Sequence, residues 1–168
     1  MKKATITDAH STKSFYLNEN ALIENTNSGE QVALFAIPEV RAALSLALDR
    51  NTIAEELVLA KAATGLVPYG IFNKGTSGSF RKTGGELLDT DANIDAAKQL
   101  LSDVGIKPKQ YKFSITVNEN DEDMMLMATA AMNAWTELGF KVSLNKRGTI
   151  LNNDFYEPTN SVPEDLCD

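Results

Sequence analysis

The chain has 168 residues, 43% of them hydrophobic, and 23 acidic against 16 basic side chains give a formal net charge of -7. That is long enough for one domain with a real core, and too apolar for a disordered chain. It argues against a nucleic-acid partner, because phosphate binding needs clustered Lys and Arg, whereas the pairs Lys2-Lys3, Arg81-Lys82 and Lys146-Arg147 stand far apart in sequence.

Met1-Lys2-Lys3 has the charge of a signal-peptide start, but no apolar region follows, so it does not read as a secretion signal. No stretch approaches the ~18 apolar residues of a membrane span. Residues 4–7 and 13–18 are short and β-prone and read as strands. His10 lies between them, and a lone histidine supplies neither a triad nor a metal site. Residues 19–30 are polar and read as a surface excursion.

The stretch from Ile37 to Pro68 predicts two helices, a short stop and a loop. Pro38 suits a first helical turn, since its missing N–H would have no partner there. Val40, Ala43, Leu44, Ala47 and Leu48 follow at i, i+3, i+4, i+7 and i+8, one apolar stripe. Asp49-Arg50-Asn51 interrupts it. Asn51 or Thr52 can then cap a second helix carrying Ile53, Leu57 and Val58.

Residues 69–90 are irregular and rich in glycine and hydroxyls. A phosphate loop fails there, because no G-x-x-x-x-G-K-[ST] is present and no strand leads into a helix. A mobile surface loop is the default, with a ligand-facing loop as the alternative. Asn93 is a fitting N-cap for a helix over 94–104 with Ala97, Leu100, Leu101 and Val104 inward, and Gly105 fits the left-handed position past its end.

Tyr111 to Val117 alternates as a half-buried strand, with Tyr111, Phe113, Ile115 and Val117 on one face. The acidic run Asn118–Asp123 fails the EF-hand pattern, because Leu126 stands where glycine is needed when Asp121 is the first position. It reads instead as carboxylates at a helix N-terminus. The next helix, 123–138, places Met124, Ala128, Ala131, Trp135 and Leu138 on one stripe before Gly139 closes it. Lys141 to Leu144 is the next strand. Residues 111–144 thus form a βαβ unit, expected to be parallel and right-handed. From Arg147 the pattern dissolves, which divides the chain into 1–147 and an irregular tail, 148–168. The tail holds the single cysteine, Cys167, so there is neither an internal disulfide nor a thiolate metal site.

Several of these residues are more specific than their periodicity. Pro38-Glu39-Val40-Arg41, Ala43-Leu44-Ser45-Leu46-Ala47-Leu48-Asp49-Arg50, Ile53-Ala54 and Gly65-Leu66-Val67-Pro68 resemble the central signature of the family 5 extracellular solute-binding proteins. These are the oligopeptide-, dipeptide- and nickel-binding components of ABC importers. Phe15-Tyr16-Leu17-Asn18 stands where that family has an aromatic strand ending in Asn. Ala97-Lys98-Gln99-Leu100-Leu101 and Trp135 through Gly139 to Val142 match two later landmarks, with Val104 where alanine is usual. The resemblance runs from about Phe15 to Leu144.

The resemblance implies an α/β fold: a small mixed sheet with a βαβ unit and flanking helices, lobe II of a periplasmic-binding-protein-like (type II, cluster C) architecture. It implies no catalysis; no cofactor is expected, and with one His and no Cys cluster nickel has no visible protein ligands in this part. Its partners would be a peptide ligand, a first lobe outside this chain and an ABC permease, in an extracytoplasmic setting at the cell surface or in the periplasm. Peptides, nickel complexes and oligosaccharides are all bound within the family. The carboxylate that pairs with a peptide's α-amino group is expected after this chain's end, and neither Asp165 nor Asp168 sits in its motif. One lobe alone is therefore expected to bind peptide weakly.

Ligands of α/β sheets sit at the carboxyl ends of strands. That nominates Asn18, Asn118 and the loop Val67-Pro68-Tyr69 as cleft residues. Structural roles compete, with Asn18 ending its strand and Tyr69 packing on its own lobe. Arg41, Asp49 and Arg50 read as scaffold ion pairs. Two other functions compete: a stand-alone interaction domain derived from such a protein, and a small hydrolase, for which His10 and Cys167 are the only unusual groups.

Overall fold

The computed structural model describes residues 11–57, 59–75 and 78–148. The strand expected at 4–7, His10, Val58 and the tail with Cys167 lie outside them. Two small sheets share one core. Strands β1 (Ile23–Glu24) and β2 (Gln31–Val32) form an antiparallel hairpin. Strands β3 (Lys112–Asn118) and β4 (Lys141–Arg147) pair in parallel, from Lys112 opposite Lys141 to Asn118 opposite Arg147. A single antiparallel bridge, Asn25 to Tyr111, links the two sheets. Around them lie α1 (Pro38–Leu46), α2 (Arg50–Glu56), α3 (Phe80–Gly84), α4 (Ile94–Asp103) and α5 (Glu122–Glu137).

The core is built on α1, α4, α5 and β3. Val40, Ala43, Leu44 and Ala47 of the α1 stripe are all buried, and α1 packs on α4 through Ala97 and Leu101. Alanine at three of these positions lets the helix axes approach closely. On β3 the alternation holds, with Tyr111, Phe113 and Val117 buried and the residues between them exposed or half-buried. Phe113 is the aromatic hub. Its ring lies 5.1 Å from Phe35 and 5.5 Å from Phe140, both edge-on, and 6.0 Å from Trp135. Such edge-to-face pairs add to the gain from area burial alone.

The structure corrects several expectations. Lys13–Asn18 joins no strand ladder. Phe15 and Leu17 nevertheless pack on the core, and Phe15 meets Trp135 edge-on at 5.7 Å. β-propensity there goes with burial, and burial alone does not supply a partner strand. The polar excursion at 19–30 holds β1 and the turn of the β1–β2 hairpin, whose two-residue strands are too short to show a period. No residue of α2 is buried, so Ile53 forms no deep stripe. Helix α3 was not expected; Ser79 caps it by accepting from the Lys82 amide. Met124 is 40% exposed, because the first turn of α5 overhangs the core, while Ala128, Ala131, Trp135 and Leu138 are buried as expected. Gly105 and Gly139 both adopt positive φ at helix ends, as their positions require.

Candidate ligand-cleft site

Asn18 and Asn118 occupy the same local geometry. Each side-chain oxygen accepts a hydrogen bond at 3.0 Å from the amide two residues on, Asn20 and Asn120 respectively. Each backbone carbonyl accepts from the amide three residues on, Ala21 at 3.1 Å and Asp121 at 3.2 Å. These are Asx turns, in which the side chain substitutes for a backbone group. Asn118 stands at the carboxyl end of β3, directly before α5. Lys13 ties the Asn18 segment to this end, reaching Asp123 at 2.9 Å and Asp121 at 3.7 Å. The hydrogen bond to Asp123, with the two carboxylate charges, raises the Lys13 pKa above its usual value. Asp121 caps α5 by accepting from the Met124 amide at 2.9 Å.

Val67, Pro68 and Tyr69 lie half-buried in a separate network. The Tyr69 hydroxyl is 2.8 Å from Thr64 Oγ1, and Lys61 Nζ stands 4.0 Å above its ring. Arg81 reaches the same group from α3. Its Nη2 donates to Thr64 Oγ1 at 2.6 Å, and its guanidinium lies 5.8 Å from the Tyr69 ring centre. No described hydrogen bond joins this network to Asn18 or Asn118.

Arg81, Thr64 and Lys61 were not picked out as functional from the residues. Arg81 showed only as half of a basic pair, and nothing local to it announces burial. The structure also gives Gly65 a reason. A Cβ on Gly65 would stand 2.9 Å from Arg81 Cζ and 3.0 Å from Nη2, so the glycine makes room for a guanidinium 16 residues later in sequence.

Arg41, Asp49 and Arg50 serve the backbone more than one another. Arg41 donates to the Phe35 and Ala36 carbonyls and pairs with Glu19 at 3.3 Å. Arg50 donates to the carbonyls of Ser45, Leu48 and Asp89 and to Ser45 Oγ, without a close ion pair. Burial lowers its pKa, opposed by the charge of Asp89. Asp49, and neither Asn51 nor Thr52, caps α2, accepting from the Thr52 amide at 2.9 Å and the Thr52 hydroxyl at 2.8 Å. Those bonds lower its pKa, the amide bond foremost. A depressed carboxylate adds stability above its unfolded pKa and loses it as pH falls through the folded one. Asp49→Ala is therefore expected to cost about 1 kcal/mol at neutral pH. The difference from wild type should shrink on acidification, read by urea melts across the acid range. A gap that stays constant with pH would rule out the carboxylate cap as its source.

Among the described residues no group of three His, Cys, Asp or Glu side chains could hold a metal ion, and no helix is long and apolar enough to cross a membrane. Helices packed around a parallel βαβ pair, with an asparagine turn at the carboxyl end of β3, define an α/β fold. The profile of the bacterial extracellular solute-binding proteins, family 5 middle region, matches residues 2–157, and the chain belongs to this family. No curated protein matches it significantly. Solved structures share the fold. The ABC transporter substrate-binding protein CtaP of Listeria monocytogenes is 22% identical with a TM-score of 0.52, the match covering 77% of this chain and 25% of that one. Listeria monocytogenes OppA bound to peptide is 19% identical at 0.50, covering 77% and 27%. An oligopeptide ABC transporter substrate-binding domain from Bacillus anthracis is 12% identical at 0.54, covering 80% and 26%. The chain thus spans about a quarter of the length of these structures.

Proposed function

We propose that this chain forms one wall of the solute cleft in an oligopeptide- or dipeptide-binding component of an ABC importer. The observation that carries this is the family match over residues 2–157, together with a span of about a quarter of the solved structures of the same fold. A peptide is the favoured solute because OppA bound to peptide is among those structures. In this reading Asn18, Asn118 and the Val67–Tyr69 loop border the cleft, and residues 1–147 make the lobe. The partners are the other lobe and a permease, and the setting is extracytoplasmic. The chain binds and does not catalyse.

Peptide binding needs both walls. A half-cleft bears the entropy of association while contacting one side of the ligand. The test is calorimetric titration of a family-length protein carrying this sequence, beside the 168-residue chain, with a mixed library of short free peptides. Heat with the long protein and none with the short chain is the expected result. No heat with either would overturn the peptide reading. Tight binding by the short chain would overturn the half-cleft.

A further inference from the structure

The stretch from 59 to 88 combines two features that folded surfaces avoid. It carries seven of the ten large apolar side chains that the described residues expose, among them Leu66 at 69%, Phe72 at 65% and Leu87 at 74%. Exposed apolar groups are ordinary singly, and informative when concentrated. The same stretch buries a cation. Arg81 is 6% exposed, its Nε has no hydrogen-bond partner, and it makes no ion pair among the described residues. A buried donor left unpaired costs free energy, and a buried charge without a counter-charge costs more.

Local contacts draw the apolar groups and the cation together. The amides of Leu87 and Leu88 both donate to the Thr64 carbonyl, and the Phe80 amide donates to the Ile71 carbonyl. Thr64 Oγ1 in turn accepts from Arg81. Lys61 on Tyr69 adds a second positive charge at the edge. Exposed apolar residues thus flank a buried cation along the chain as its rim, on a chain whose net charge is -7.

We infer that the surface of residues 59–75 and 78–88 docks an apolar segment bearing a side-chain carboxylate, which pairs with Arg81 and belongs to the remainder of the family-length protein. This rests on the reading of the chain as one wall of a larger molecule. The complementarity is specific: the rim supplies area, and the guanidinium selects a carboxylate in fork geometry. Because Nε is out of contact with solvent, the carboxylate reaches it only when the groups covering it move aside. Docking and a local rearrangement of the loop are therefore coupled.

The test is an NMR titration of the 168-residue chain with Ac-Leu-Phe-Asp-Leu-Phe-NH2 and with its Asp→Asn counterpart. Both ends are blocked, so neither terminus imitates a transported peptide. The expected result is a downfield move of the Arg81 Nε–H signal with the Asp probe, shifts at Gly65 and Tyr69, and about tenfold or weaker binding of the Asn probe. Equal binding of the two probes, shifts elsewhere only, or no response would each overturn the inference. Arg81→Lys should bind the Asp probe about tenfold or more weakly, with the Trp135 Nε1–H signal reporting an intact core; undiminished binding would also overturn it. If Arg81→Lys fails to fold, the Asp and Asn probes on the wild-type chain decide alone. A null here beside peptide heat in the long protein would sink this surface and leave the peptide reading standing.

Discussion

Trp135→Ala is expected to destabilise the protein by about 3–5 kcal/mol, read from urea melts by circular dichroism. The indole is 3% exposed and lies against Phe15 and Phe113. It also does a second job that its hydrophobicity hides. Its Nε1–H donates to the Leu44 carbonyl at 2.9 Å, across 91 residues of sequence. Leu44 is in the last turn of α1, where carbonyls lack helical partners. The Leu48 amide, which would otherwise serve Leu44, turns to Ser45 instead. Trp135→Phe separates the two jobs. It keeps most of the apolar area and leaves that carbonyl unpaired, for an expected cost of about 1–3 kcal/mol. A Phe variant as stable as wild type would show that the indole acts by packing alone.

The same end of α1 explains why the family's marker residues occur together. Arg50 donates to the Ser45 carbonyl, the Asn93 amide donates to the Leu46 carbonyl, and Trp135 serves Leu44. A guanidinium there also complements the negative end of the helix dipole. Arg50 just past the helix and groups from two distant parts of the chain thus close one helix terminus, and Asp49 opens the next helix beside it.

The second large effect is expected at Gly65. Its φ is not in the positive range, so the demand there is for space, not for a glycine conformation. Gly65→Ala drives a methyl into the Arg81 guanidinium and should cost about 1–3 kcal/mol. In an Arg81→Ala background the obstacle is gone, so most of that cost should vanish. A double-mutant cycle by chemical denaturation should give a coupling of about 0.5–3 kcal/mol. Additive single effects would mean that Gly65 is needed for some other reason.

What could be read from the residues, and what could not, divides by range. The α1 stripe, the Asn93 cap, Gly105 and Gly139 at helix ends, the alternation on β3 and the Asp121 cap all depend on neighbours within about four residues, so their spacing is visible in order along the chain. Asn18 and Asn118 were nominated as strand-end residues; Asn118 does end β3, whereas Asn18 ends no strand, and the Asx turn that each forms is a local bond. The Lys13–Asn18 segment misled because β-propensity records what fits a half-buried surface and says nothing about a pairing partner. Helix α3 is five residues long and held by a single serine cap, too short for a period.

By itself the sequence determined the α/β class, the parallel βαβ pair, the main helices and the family. Only the tertiary structure decided what the marker residues do. Gly65 clears space for Arg81, Trp135 completes α1, and Arg81 is buried with its Nε unpaired. The physical reason is that burial, counter-charge and free space belong to pairs of residues far apart in the chain. No local spacing carries them, and they come into being when the chain brings the partners together.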